Sequence, residues 1–349
     1  MVMPLYSGAQ SVRCSKRRGA SVLVTGAILW EGGVMEVLSA LFTMVLVVFM
    51  VSMMLAAGLS TTIPNLIQVF RRVWLVLLVL VVNFVLVPLL GWGLGELFAL
   101  ATPAFIAMIL IACSPGAPFG AKAAVIQHGD VATGGALQVL LAALGSITFP
   151  FTANWILAAA GVGGGISLPV GRLVGTVVIL QLVPFVVGVA IRNWAAHVAD
   201  GWLKTSMRVS NITFVAVMAG ALLGGWQAIV DLIGSRTLLA ALVFAIVALA
   251  LGTFLAVGAI RVRTTVGLLA PMRNAGPVFV AIGVGFANDP AILGAATAIL
   301  LITSVVGVLF ASFLARKRVT NEEQASVTTV DNTVGERVSP PMGTEGTET

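Results

Sequence analysis

The chain has 349 residues, 59% of them hydrophobic and 9% charged, with a mean hydropathy of +1.09; soluble domains are about 45–50% apolar and about 25% charged, so a soluble fold is excluded. The net charge of +6 does not indicate nucleic acid, because Lys and Arg stand singly or in pairs at the ends of apolar runs, where membrane anchors and topology signals belong. Cys14 and Cys113 form neither a CxxC pair nor a disulfide framework.

Residues 1–33 carry a basic cluster, Arg13, Lys16, Arg17 and Arg18, ahead of a short apolar core from Ser21 to Trp30. Three readings compete for this extension: a signal peptide, a degenerate extra span, or a leader that is not translated. Trp30-Glu-Gly-Gly-Val-Met35 back-translates to a purine-rich tract just before an ATG, which favours a start at Val34 or Met35. Apolar runs then follow at Val37–Leu59, Val73–Phe98, Thr102–Gln127, Val131–Ala160, Val170–Ile191, Val209–Val230, Thr237–Ile260, Val266–Phe286 and Ala291–Ala315. A bilayer core takes about 20 apolar residues per helix. The runs lack the alternation of a β-barrel, so an all-α, polytopic membrane domain of about nine helices is predicted over residues 34–318.

Arg71, Arg72, Arg192, Lys204, Arg208, Arg261, Arg263, Arg316, Lys317 and Arg318 fall on one side of this arrangement, against Arg172 and Arg236 on the other. The richer side is the cytoplasmic one, which puts the C-terminus in the cytoplasm and the protein in the cell membrane. An odd number of spans then conflicts with the basic N-terminal cluster, a further sign that residues 1–33 are unusual. Residues 319–349 turn to Thr, Glu, Ser, Gly and Pro, a composition that buries too little apolar surface to fold. They are expected to form a disordered cytoplasmic tail.

Two runs are interrupted at mid-depth, one by Cys113-Ser-Pro115-Gly-Ala-Pro118-Phe-Gly120-Ala-Lys122 and the other by Pro271-Met-Arg273-Asn-Ala-Gly276-Pro277. Proline removes a backbone donor and clashes with the preceding turn. The freed N–H and C=O groups need partners inside the protein or a wet cavity, and paired interruptions point to a transporter binding site. Lys122 and Arg273 are the cations that lie well inside apolar runs, where each costs about 2.5–3.5 kcal/mol on the insertion scale. The carboxylates lie at span ends, in loops or in the tail. Unpaired cations beside half-helix N-termini, which are themselves positive, suit a carboxylate, sulfate or phosphate. Lys122 has a competing reading, since it stands eight positions before Asp130 and can extend toward the interface.

In these spans the sequence resembles the bile acid:sodium symporter family, within the wider group that includes arsenite and auxin exporters. The resemblance rests on Met54-Leu-Ala-Ala-Gly-Leu-Ser60 with Arg71-Arg72, Asn83-Phe84 with Pro88, Ala112-Cys-Ser-Pro-Gly116 with Gly129-Asp-Val-Ala132, and Arg273-Asn-Ala-Gly276. It implies inverted repeats, a panel domain beside a core domain, and two discontinuous crossing helices. The family's first helix is missing from the pattern, which leaves nine.

The resemblance also implies sodium as coupling ion, yet the family's ligands are largely replaced. Its Ser-Asn pair on the first broken helix falls on Gly120 and Ala121, its next hydroxyl ligands on Gly134 and Gln138, and its glutamate on Leu269. A neighbouring glutamine falls on Arg273 and another on Asn83. Asn83, Gln138 and backbone carbonyls such as that of Met272 remain for a hard cation, which prefers oxygen. Arg273, with Lys122, is therefore expected to supply as permanent charge what sodium supplies in the family. The substrate residues expected on this reading are Lys122, Arg273, Asn274, Pro115, Gly116, Gly120 and Ala121.

The function expected is secondary transport of a small organic anion, with the lipid bilayer as the other partner and no resident cofactor. An enzyme is not expected, since the chain offers two histidines, His128 and His197, and no HExxH or buried acidic pair. Proton coupling is left only with His128, near a span end. Two alternatives within reach are an arsenite-type exporter, resting on Cys113 and the affinity of soft ligands for thiolate, and a non-transporting membrane sensor on the same scaffold.

Overall fold

The computed structural model describes residues 37–116, 124–161, 168–224 and 226–338, and every regular element among them is helical. In chain order these are α1 (Val37–Leu59), α2 (Ile63–Phe70), α3 (Val73–Leu97), α4 (Thr102–Ala112), α5 (Val131–Ala159), α6 (Val170–Trp194), α7 (Ala196–Gly224), α8 (Trp226–Asp231), α9 (Arg236–Leu255), α10 (Ile260–Leu269), α11 (Ala275–Phe286) and α12 (Pro290–Val338). Among the described residues, α1, α3, α5, α6, α7, α9 and the first part of α12 are long and apolar enough to cross a membrane. The chain is a multi-pass membrane protein. The reading of residues 1–33 falls outside the described residues.

Burial separates the helices into two kinds. On α6, Ile179, Val183 and Val186 are 63%, 52% and 55% exposed, the apolar outer face of a helix long enough to cross a membrane. On α4, in contrast, Ala104 through Ala112 are buried without exception, and on α11 so are Ala275 through Ile282. A helix that is apolar all round belongs at the centre. The two short helices that flank the sequence interruptions are thus the innermost elements, with α4 packed on α3 and α12 and α11 on α4, α6 and α12.

Two long helices contain a wide turn, Val82–Leu86 in α3 and Val178–Leu182 in α6. Each sits just ahead of a proline, Pro88 and Pro184. Because proline cannot donate to the carbonyl four residues back, the register slips by one, and Val87 N–H donates to Val82 O while Val183 N–H donates to Val178 O. Such turns are common at functional sites. Each here carries an amide into the interior, Asn83 and Gln181, both 1% exposed.

The helices approach closely where side chains vanish. A methyl at Gly58 would lie 2.2 Å from Phe185 O, and one at Gly188 would lie 2.6 Å from Leu55 O, so α1 and α6 touch backbone to backbone, as small residues permit in membranes. Arg192 seals the end of this contact, donating from Nε to Leu59 O and pairing with Asp200 at 2.9 Å.

Two boundaries differ from expectation. Helix α7 starts at Ala196 and not near Val209, because its first turns, with Lys204 and Arg208, are helical without being continuously apolar. The backbone of α12 stays helical to Val338, where an unstructured tail from residue 319 was expected. Residues 319–338 hold no proline and a single glycine, Gly335, and extending an existing helix needs no new nucleus.

Candidate functional site

The first interruption follows α4. Its last turn ends at Cys113, Pro115 cannot continue it, and Gly116 turns the chain with a φ of +86°. The left-handed region is open to glycine because it lacks Cβ. There is no space for one either, since it would lie 2.4 Å from the backbone nitrogen of Ala142 on α5. One turn further along α5, Gly145 leaves room for the Pro115 ring, which a methyl there would meet at 3.1 Å. Gly120, Ala121 and Lys122 lie outside the described residues.

The second interruption runs from Ala270 to Asn274, between α10 and α11. Asn274 caps α11, its Oδ1 accepting from Gly276 N–H at 3.2 Å. The two breaks meet face to face: Asn274 N–H donates to Ser114 O at 2.9 Å, and Ser114 Oγ donates to Asn274 O at 2.8 Å. This exchange satisfies backbone groups that broken helices leave without intrahelical partners.

Arg273 closes the rest of the crossing. It is 4% exposed, and its guanidinium has five N–H groups. Nε donates to Ile111 O at 3.2 Å; Nη1 donates to Asn83 Oδ1 at 2.9 Å and to Ala270 O at 3.2 Å; Nη2 donates to Asn83 O at 3.3 Å and to Ala112 O. All five are used. Asn83 is fixed in turn by its own Nδ2, which donates to Val79 O at 3.0 Å.

This geometry changes the sequence-based picture of Arg273 in one respect. Among the described residues no carboxylate pairs with it, and the guanidinium's hydrogen bonds run to helix C-terminal ends and to Asn83 instead of to a half-helix N-terminus. It gathers carbonyls from the C-terminal ends of α4 and α10, which are the negative poles of those helices. The oxygens collected around it, from Asn83, Ile111, Ala112 and Ala270, are the kind a hard cation takes. A tethered cation already holds them, so this oxygen set does not fit a sodium ion while Arg273 is in place.

The remaining expected residues spread out around the crossing. Gln138, 3% exposed, lines a cavity of about 510 Å³ bounded by α1, α5 and α7, together with Phe49, Met53, Ser60, Met207 and Asn211. The cavity is largely apolar with polar groups interspersed. Met272 is 3% exposed, and its Cε fills the space over Gly307 on α12, where a methyl would lie 2.5 Å away. Cys113 is buried, and no group of three or more His, Cys, Asp or Glu able to hold a metal occurs among the described residues. His128 is exposed.

Sequence reasoning missed three polar residues at this centre: Ser114, Ser146 and Gln181. Ser146 Oγ lies 2.9 Å from Gln181 Oε1, joining α5 to the wide turn of α6. The available signal was Gln181 itself, a lone amide in the apolar run Val178-Ile-Leu-Gln-Leu-Val-Pro184, since polar residues at membrane depth are costly and tend to be functional.

The sequence profile of the Sodium Bile acid symporter family matches residues 47–256, more than half of the 349 residues. The matched stretch includes the first interruption and Asn83 and stops ahead of Arg273. No curated protein matches the chain.

Proposed function

Because this chain belongs to the Sodium Bile acid symporter family, whose members are membrane transporters, we propose that it carries a small organic anion across the cell membrane without coupling to sodium. The observation that supports this reading most is the Arg273 guanidinium, which occupies five oxygen acceptors at the crossing of the two interrupted helices. In this proposal the arginine is a built-in counterpart of the coupling ion. It bonds the carbonyl ends of α4 and α10 without an ion having to bind, so the crossing holds together through the transport cycle.

On this reading α4 and the α10–α11 pair each belong to one further span, which with the seven long helices of the described residues gives nine. Such a core would move against a panel that includes α1 and α6, with the C-terminus on the cytoplasmic side. The substrate enters the apolar cavity between α1, α5 and α7 and places its charged group toward the crossing. Two features favour an anion there: the charge of Arg273 is not balanced by any described carboxylate, and the N-terminus of α11 adds a positive pole. The substrate residues on this reading are Arg273, through its field, with Asn274, Pro115 and Gly116, and with Gly120, Ala121 and Lys122, which lie outside the described residues.

The test is uptake into proteoliposomes of a panel of labelled organic anions, cholate among them, with sodium or with N-methyl-glucamine as the cation. Uptake at equal rates in both is expected. Uptake that needs a sodium gradient would overturn the coupling proposal, and anion binding without flux would favour a sensor.

A further inference from the structure

Two buried amides at the crossing have a donor with no partner. Asn274 and Gln181 are each 1% exposed, and neither Asn274 Nδ2 nor Gln181 Nε2 has a hydrogen-bond partner. Asn274 Oδ1 takes Gly276 N–H at 3.2 Å, and Gln181 Oε1 lies 2.9 Å from Ser146 Oγ, whose single hydroxyl hydrogen is shared with Ala142 O at 2.8 Å. Both nitrogens belong to one small region. A methyl at Gly276, the second residue of α11, would lie 3.2 Å from Gln181 Nε2. The absence of a side chain at Gly276 is what lets the amide of α6 approach the start of α11.

That start is rich in donors and poor in acceptors. Helix α11 is 12 residues long, and its first N–H groups have no intrahelical carbonyl to bond. Arg273, the neighbour of Asn274 in sequence, adds a full positive charge. The described carboxylates that could compete, Glu96, Asp130, Asp200, Asp231 and Asp289, stand at helix ends. An unmatched buried donor costs about 1–3 kcal/mol. Two of them beside the same helix N-terminus match an incoming group that only accepts.

We infer that Gln181 is a specificity-determining substrate residue, supplying from α6 a donor that acts with Asn274 Nδ2 and the N-terminus of α11 on the carboxylate or sulfonate of the transported anion. This rests on the anion-transport reading above and adds to it a residue from a second, laterally packed helix. Because the two nitrogens are sealed from solvent in this state, the anion reaches them as α6 separates from α11. The substrate therefore takes over a contact between the two helices instead of filling a standing gap. A site lined by donors alone also selects against cationic substrates and against neutral ones that lack an acceptor at that end.

The experiment compares Gln181→Met and Gln181→Glu with the wild type in two measurements, the melting temperature without ligand and the affinity for cholate as an anionic probe. If Nε2 is an unmatched donor kept for substrate, Gln181→Met removes its cost, and Ser146 Oγ retains Ala142 O at 2.8 Å. The melting temperature of that variant is then no lower than wild type, while cholate binds at least about tenfold more weakly. Gln181→Glu, which turns the donor into a repelling carboxylate, weakens binding further. A loss of less than tenfold in Gln181→Met, or a loss that comes with a lowered melting temperature, overturns the inference. The latter is the behaviour of an amide whose flipped form is paired and structural. Cholate binding equally well to wild type and both variants removes the role of Gln181 alone; a wild type that binds no anion of the uptake panel removes the function proposed above and this inference with it.

Discussion

Arg273→Gln is expected to abolish anion binding and transport and to lower stability by about 3–5 kcal/mol, the usual cost of removing one partner from a buried charged network. The size follows from the number of acceptors and not from any single bond. The wild-type guanidinium serves Ile111, Ala112, Ala270 and both the side-chain and backbone oxygens of Asn83. A glutamine amide has two N–H groups; Ile111 O keeps the Ser114 N–H, but at least two of the remaining buried oxygens lose their donor. Arg273→Lys is expected to fail nearly as badly, because an ammonium on a flexible stem cannot reproduce the planar fork. Size-exclusion profiles and thermal unfolding in detergent check stability, and cholate titration checks binding. Wild-type binding by Arg273→Gln would show that the charge at the crossing is dispensable.

Gly116→Ala is the second change with a large expected effect. A φ of +86° costs an L-residue about 1–2 kcal/mol, and the new methyl would lie 2.4 Å from the Ala142 nitrogen and 2.6 Å from its Cα. Those are backbone atoms in the middle of α5, so the clash cannot be relieved by a side-chain rotation. Overpacking of this kind costs about 1–3 kcal/mol, and the two terms together come to about 2–5 kcal/mol. The expected result is a protein recovered in low yield, with a melting temperature well below wild type and no transport. Ala142→Gly in the same chain would not rescue it, since two of the contacts are to backbone.

Most of the fold was legible in the sequence because membrane helices announce themselves by length and apolarity. The run expected to stop at Leu59 does so in α1, and Val73 and Val131 begin α3 and α5 as expected. Composition is a poorer guide where hydrogen bonding alone sets the boundary. The polar first turns of α7 and the continuation of α12 past residue 319 are examples. The prolines marked the two places where the described helices are interrupted, but side-chain direction was beyond reach of the sequence. The pattern put Arg273 beside a helix N-terminus; the folded chain sends its head group to carbonyl ends brought in from residues 83, 111 and 112. That choice depends on long-range contacts that no local spacing encodes.

The same physics recurs in two other arginines that the sequence reading assigned to topology. Arg192 donates to Leu59 O at the end of α1, and Arg318 donates to Gln127 O and, at 2.9 Å, to Thr264 Oγ1. Each satisfies a carbonyl or hydroxyl where a helix stops or the chain turns. These arginines therefore have a structural duty in addition to the topological one expected of them.

The central claim, that Arg273 holds the place of a coupling ion, is tested most directly by the melting temperature of the wild-type protein titrated with sodium chloride against choline chloride at equal ionic strength. A protein that binds sodium in the folded state is stabilised by it in proportion to its affinity. The account predicts superimposable curves for the two salts. A rise specific to sodium would contradict it.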